Sequence, residues 1–264
     1  MTSILFGLKA DWANRILSGI DRSAFTATFH DIYGAETGTF DAVVPLKLSD
    51  HEYLRSVHLN GRANFFVPRR RAEDIADDKL RFNTWLRARG YGRFVPELYE
   101  GRPEYPFIYK KRYDGFGENS RIIFSRADME AFEESIEPSA YFRQRYVPGR
   151  SEFTAHFLAS NGRIKFAGAF EFGFDHDHFV KGKHFAPASK RIVAARHLDL
   201  FGDILRRLDF SGTCCFNYKE DDAGRPMIFE MNPRFGASLC YMINSYLVAY
   251  LAALEETDIH ALAA

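Results

Sequence analysis

The sequence predicts an α/β (α+β) protein, its larger part antiparallel sheet with helices laid upon it, and three observations carry that prediction. Short apolar runs alternate with helical stretches near the N-terminus. Two long runs, SEFTAHFLAS and RIKFAGAFEF, meet at Asn161 and Gly162, the residue types a two-residue hairpin turn favours. Amphipathic stretches bounded by capping residues and glycine separate the remaining strands. With 264 residues and 46% hydrophobic content, the chain can bury the core of one compact body or of two small domains sharing an interface.

Taken in order, SILFGL, AFTATFHDIY and DAVVPLKL give a short α/β unit, followed by SDHEYLRSV, where Ser49 and Asp50 are placed to cap a helix. No glycine-rich dinucleotide turn follows any of these strands, which argues against a Rossmann cofactor site. Arg69, Arg70 and Arg71 are expected in a solvated linker. Asp77 and Asp78 then open the amphipathic helix KLRFNTWLRARG, which stops at Gly90 and leads into the extended YGRFVPELYE. PFIYKKRYDGFGENSRIIF forms a hairpin around a glycine-bearing loop, SRADMEAFEESI a helix, and YFRQRYVPG a strand. GFDHDHFVKGKHFAPAS is a long loop of the kind that often carries function. The chain continues with helix HLDLFGDILRRLDF, strand TCCFNYKED, turn DAGRP, strand MIFEMN, irregular PRFGAS and a final helix from about Leu239.

Charge and cysteine usage exclude several classes. Lys plus Arg (35) equals Asp plus Glu (35), so no overall field draws the protein to nucleic acid or to an anionic membrane, and any anion must be held locally. Cys214, Cys215 and Cys240 are odd in number and two are adjacent in an apolar run, as expected of buried reduced thiols. No apolar stretch approaches the roughly 20 residues of a membrane span and no signal peptide opens the chain, so a cytoplasmic location is expected. Phe dominates the 16% aromatic content, chiefly as core.

Strand, turn, strand near the C-terminus brings Asn217 toward Glu230 and Asn232. Side chains two apart on a strand share a face, so Glu230 and Asn232 point together. Hard oxygen donors of this kind suit magnesium, which takes one or two protein groups beside phosphate oxygens and water. Arg234 then projects from an irregular turn as a permanently charged fork for a phosphoryl group or a carboxylate. Upstream, Lys110 and Lys111 end an apolar strand just before Gly115 and Gly117, as a polyphosphate cradle or a plain hairpin turn would have them. His176, Asp177 and His178, with His184, are expected in a solvated loop or a substrate lid ahead of a zinc site.

In this order the pieces resemble the ATP-grasp superfamily. The resemblance runs from about Asp78 to Ser238 through DDKLRFNTWLRARGYGRFVPELY, FIYKKRYDGFGENS, FRQRYVPGRSEFT and, most specifically, GTCCFNYKEDDAGRPMIFEMNPRFGAS. It implies two α+β subdomains clasping ATP: a shortened N-terminal α/β unit over 1–75, then 76–264, divided into 76–143 and 144–264. It implies that Lys79 and Lys110 meet phosphate, with Gly115, Gly117 and Ser120 in the phosphate loop. The hinge Gln144, Arg145, Tyr146 and Val147 would face adenine, and Glu152 the ribose. Asn217, Glu230 and Asn232 would ligate Mg2+, with Mn2+ admissible, while Arg234 and Lys183 would be catalytic. Asn217 stands where many relatives carry Asp or Gln, and Arg145 where the hinge is often acidic. The implied reaction activates a small-molecule carboxylate as an acylphosphate for attack by an amine or, less often, a thiol. The alternatives are an ATP-binding protein without ligase activity and a kinase-like transferase. No nucleic-acid or membrane partner is implied, and a homodimer is allowed.

Overall fold

A computed structural model describes residues 1–57, 64–115, 117–183 and 186–262, with side chains placed as far as residue 257. Phe116 and His184 lie outside the described residues.

The N-terminal unit contains β1 (Thr2–Gly7), α1 (Ala10–Gly19), β2 (Phe25–His30), β3 (Ala42–Val44) and α2 (Leu48–Ser56). Its sheet has the order β2-β1-β3 and is parallel throughout. Residues Ile4 to Gly7 are all buried rather than alternating, as expected of a central parallel strand covered on both faces. Ser49 does not cap α2. Lys47 occupies the N-cap, and Asp50, one turn in, reaches back to accept from the backbone N–H groups of Leu46 and Lys47, each at 2.9 Å.

The arginine cluster is not a linker. Arg69 stands at the N-cap of α3 (Arg70–Asp77), where it pairs with Asp209 at 2.6 Å, and Arg70 approaches Glu73 and Asp74 along the helix. Of the two aspartates expected to open the next helix, Asp78 does so as the N-cap of α4 (Lys79–Leu86), while Asp77 is the last residue of α3. Asp78 accepts from the Leu80 and Arg81 N–H groups at 3.1 and 3.2 Å, and the Arg112 guanidinium clasps its carboxylate. Beyond α4 the helix widens into one π turn, in which Gly90 takes φ 88°, a left-handed value at which glycine carries no penalty.

The strands β4 (Leu98–Tyr99), β5 (Phe107–Lys111), β6 (Arg121–Ile123) and β7 (Tyr141–Arg145), with α5 (Arg126–Glu133), make an antiparallel sheet of order β4-β7-β5-β6. One face packs Phe107, Tyr109 and Ile123 against Met129 and Phe132 of α5. Ile108, Lys110 and Gln144 lie on the other.

The largest sheet contains β8 (Ser151–Ser160), β9 (Arg163–Gly173), β10 (Ser189–Val193), β11 (Gly212–Glu220) and β12 (Pro226–Asn232), in the order β10-β9-β8-β11-β12, with α6 (Leu198–Arg207) against it. Asn161 and Gly162, both at positive φ, turn β8 into β9 as expected. β10 was not expected. It is a largely exposed edge strand, SKRIV, whose charges suit an edge and conceal it from a hydrophobic pattern.

The last helix, α7 (Ile243–Leu262), starts later than Leu239 because residues Ala237–Met242 form a 3-10 segment. The span Ala237–Thr257 is long and apolar enough to cross a membrane, contrary to the expectation that no stretch would be. Its apolarity has another use here, since Leu239, Tyr246, Leu247, Tyr250 and Leu254 share one core with Ile4, Phe6, Trp12 and Val44. The C-terminal helix therefore completes the N-terminal unit. Tyr250 joins the two directly, its hydroxyl accepting from Phe66 N–H and donating to Val43 C=O, both at 2.8 Å. Tyr250→Phe leaves both buried groups unpaired and is expected to lower unfolding stability by about 1–3 kcal/mol in a urea titration; an unchanged midpoint would mean that the tie contributes nothing.

Candidate active site

β11 and β12 pair so that Asn217 lies opposite Glu230 and Cys215 opposite Asn232, with an irregularity just after Asn217. Register therefore brings the three expected oxygen donors together. Asn217 Nδ2 and Asn232 Nδ2 both donate to Glu230 Oε1, at 2.6 and 3.0 Å. Thr154 donates to Asn217 Oδ1 at 2.7 Å, and Arg234 Nη2 to Asn232 Oδ1 at 3.3 Å. Burial on its own would raise the Glu230 carboxyl, but the Lys79 and Lys110 ammoniums and the two amide donors outweigh it and hold it down at about 2.

Lys79 opens α4, where its ammonium lies 3.3 Å from Glu230 Oε2 and donates to the Asp114 carbonyl at 2.6 Å. Lys110, near the end of β5, stands over the Phe229 ring at 4.6 Å; burial lowers it to about 8 despite the nearby Glu230. These contacts belong to one cavity of about 640 Å³ between the two antiparallel sheets, which also takes in Gly117, Ser120, Gln144, Arg145, Tyr146, Val147, Glu152 and Lys183. Of the expected site residues only Gly115 lies off it, on a smaller adjoining pocket with Lys79, Asp114 and Glu230. Gly117 is required as glycine: its φ is 69°, and a Cβ there would come within 2.8 Å of Val180 Cγ1.

The long loop folds back over the hinge. Tyr146 accepts from Phe179 N–H at 2.9 Å and donates to Asp177 C=O at 3.1 Å, while His178 stacks on its ring at 5.4 Å. Lys183 donates to the Ser120 carbonyl at 2.9 Å, joining this loop to the glycine loop. Among the described residues, no cluster of His, Cys, Asp and Glu has the make-up of a metal site, and His184, the third histidine of that stretch, lies outside them. Gln144 is held in the β7 ladder between β4 and β5, and Arg145 N–H is taken by Glu97 C=O at 2.8 Å.

Sequence reasoning missed Lys181 and Lys219. Lys181 pairs with Glu152 at 2.6 Å and donates to Thr154 Oγ1 at 3.0 Å. Lys219 donates to the carbonyls of Val147 and Gly149 at 3.0 and 2.9 Å, and burial lowers it to about 8. The signal for Lys219 was present: on β11 it is two residues from Asn217 and so shares its face. Missed too were Trp12 and Arg15 of α1, which line the far end of the cavity, and His156 of β8. His156 shares a 2.7 Å hydrogen bond with Ser238, and its Nδ1 has no partner. A Cβ at Gly236 would come within 2.5 Å of this ring, so glycine is needed there for packing. The three cysteines are free and buried, and burial raises Cys215 and Cys240 to about 11, which leaves them unreactive.

Two antiparallel sheets closing on such a cavity are the fold found in the solved ATP-grasp enzymes, and the chain shares that fold. No protein-family model matches the chain, and no curated protein matches it in sequence. The chain superposes on D-alanine--D-alanine ligase from Bacillus anthracis complexed with ATP with a TM-score of 0.63 at 12% identity, over 98% of this chain and 98% of that one. Phosphoribosylamine--glycine ligase from Thermotoga maritima gives 0.66 at 13% identity, over 94% and 75%. N5-carboxyaminoimidazole synthetase from Staphylococcus aureus complexed with ADP gives 0.61 at 14%, over 92% and 73%.

Full burial depresses His156 to about 3, with the Lys181 cation adding to the effect, so the imidazole is neutral at physiological pH. An unfolded histidine takes up a proton near 6.5, so His156 destabilises the fold progressively as pH falls from about 6.5 toward 3. We expect its ring resonances not to titrate between pH 5 and 8 in an NMR experiment; a midpoint near 6.5 would mean that the ring is solvated.

Proposed function

We propose that this protein is a Mg-ATP-dependent ligase that activates a carboxylate as an acylphosphate for attack by an amine, releasing ADP and phosphate. The observation that carries this reading is the convergence of Lys79, Lys110, Lys181, Lys183 and Lys219 on one cavity whose only acidic lining residues among those described are Glu152 and Glu230. Such an excess of positive charge in an enclosed space suits a polyphosphate. The fold shared with ATP- and ADP-bound ligases supports the same assignment.

In this reading 76–143 and 144–264 clasp the nucleotide, and the 1–75 unit serves the acceptor side. Adenine lies against Ile108 and Gln144 at the hinge, with backbone groups of Tyr146 and Val147 toward its edge and Glu152 exchanging part of its Lys181 contact for the ribose. Lys79, Lys110 and Lys183 meet the phosphates, and the loop through Gly115, Gly117 and Ser120 closes over them. Glu230, with the amide oxygens of Asn217 and Asn232 once these turn toward the ion, makes an all-oxygen set that fits magnesium. Bound there, the metal would neutralise phosphate charge during transfer. Arg234 orients the substrate carboxylate and steadies the charge that develops between it and the γ-phosphoryl group. A carboxylate oxygen attacks the γ-phosphorus and the bond to the β-phosphate oxygen breaks. The amine then adds to the acyl carbon, and phosphate departs with the acyl oxygen. No side-chain nucleophile is required, in keeping with inert cysteines.

Sustained, multiple-turnover ADP release from Mg-ATP is expected only when a carboxylate and an amine are both offered, and Glu230→Ala is expected to slow it by about 100-fold or more. Normal turnover by that variant would remove Glu230 from the metal role, and the lack of any thermal shift with Mg-ATP would overturn the reading as a whole.

A further inference from the structure

Past Arg234 the cavity changes character. Its guanidinium carbon lies 5.9 Å from the Trp12 ring, so the far end begins where α1 of the N-terminal unit meets the 3-10 segment Ala237–Met242. Trp12 and Arg15 are three residues apart on α1 and share one helical face. Across from them stand Phe170 and Tyr241, with ring centroids 5.6 Å apart. Tyr241 is 58% exposed, a large aromatic surface left open at a cavity wall.

The charges of this end are one-sided. Arg15 has no acidic partner within ion-pair distance among the described residues, and neither has Arg234. Asp11, one turn before Arg15 on the same helix, does not line the cavity. Lys9 also crowds the spot, its ammonium 3.5 Å from the Trp12 ring, and is lowered by burial and by the Arg234 cation. Glu152 and Glu230 are the only acids on the cavity wall among the described residues, and both are engaged by lysines in the middle section. The His156 imidazole on this wall is neutral at physiological pH. Arg15, with no acidic ion-pair partner among the described residues, favours an anion, and a cavity wall whose two carboxylates are engaged by lysines offers no free counter-charge to a ligand's ammonium group. Aromatic faces favour an apolar or planar body.

We propose that the end of the cavity formed by Trp12, Arg15, Phe170 and Tyr241 binds a small carboxylic acid with an aromatic or large apolar body and no free ammonium group. This rests on the function proposed above in one respect, that Arg234 marks the border between nucleotide and acceptor. In that arrangement the acid is the substrate to be activated. Its carboxylate lies between Arg15 and Arg234 and its body against the open ring of Tyr241. A free α-amino acid would bring an ammonium into a wall of like charge, so the substrate class separates this chain from ligases that take free amino acids as the activated partner.

Binding of three probes to the full chain, by titration calorimetry with and without Mg-ATP analogue, tests the proposal: 3-phenylpropionate, phenylalanine, which adds an α-ammonium group, and 2-phenylethylamine. We expect 3-phenylpropionate to bind at least about tenfold more tightly than either of the others. Arg15→Gln should weaken it by about tenfold, and Arg15→Glu should shift preference toward the amine. Because Arg15 is exposed, both variants should fold, as a circular dichroism melt will verify. Equal or tighter binding of phenylalanine, no binding of 3-phenylpropionate under either condition, or an Arg15→Gln affinity equal to the parent's would each overturn the proposal. If 3-phenylpropionate binds with this preference but Mg-ATP does not, the ligase reading fails and the carboxylate site stands.

Discussion

The ionised carboxylate of Glu230, largely buried in the cavity, is the constraint on which the remaining geometry depends. An unpaired charge in such a place would be strongly destabilising, so its neighbours must be cations and donors held on rigid elements. The chain supplies them from distant segments: Lys79 from the first turn of α4, Lys110 from β5, Asn217 from the adjacent strand and Asn232 two residues on. Each is fixed by something other than Glu230. The Lys79 position is set by Asp78, whose carboxylate caps α4 and is clasped by Arg112, and the Lys79 backbone N–H donates to Arg112 C=O at 3.1 Å. One aspartate thus positions a helix start, a strand end and, through them, the cation facing the carboxylate.

Much of this was legible in the sequence, for a physical reason. Strand residues two apart share a face whatever the tertiary setting, so Glu230 with Asn232 could be read locally. The Asn161 and Gly162 turn could be read likewise, because left-handed backbone has few tenants. Less legible was whatever depends on surroundings. The arginines at 69–71 resemble a solvated linker until Asp209, Glu73 and Asp74 are seen beside them. β10 carries an edge strand's charges and is nearly without apolar alternation.

The cavity shows the same division. Lys110 was singled out from its place at the end of an apolar strand and Lys79 from the family resemblance; lysines whose meaning comes from the partner they face, Lys181 beside Glu152 and Lys219 beside the carbonyls of Val147 and Gly149, were not. Trp12 and Arg15 lie more than 200 residues from Arg234 and reach it only because α7 closes the N-terminal sheet. That closure depends on Tyr246, Tyr250 and Leu254 packing among Ile4, Phe6 and Val44, a contact between chain ends that no local pattern announces.

The closure by α7 also bears on how specificity is distributed. The cations of the middle section come from the start of α4, from the two antiparallel sheets and from the loop that leads to β10, and on the proposed function they address phosphate, which is alike whatever the acceptor. The residues beyond Arg234 come from α1 and from the segment that leads into α7, which share a core with the parallel sheet. On the proposed function, a change of side chain at Arg15 or Tyr241 would therefore alter what is activated while leaving the Glu230 network as it stands, because no hydrogen bond of that network is made by either residue. The end around Glu230 is constrained by a largely buried charge that tolerates few alternatives, and the end beyond Arg234 by packing on a helix face, where substitution is comparatively free.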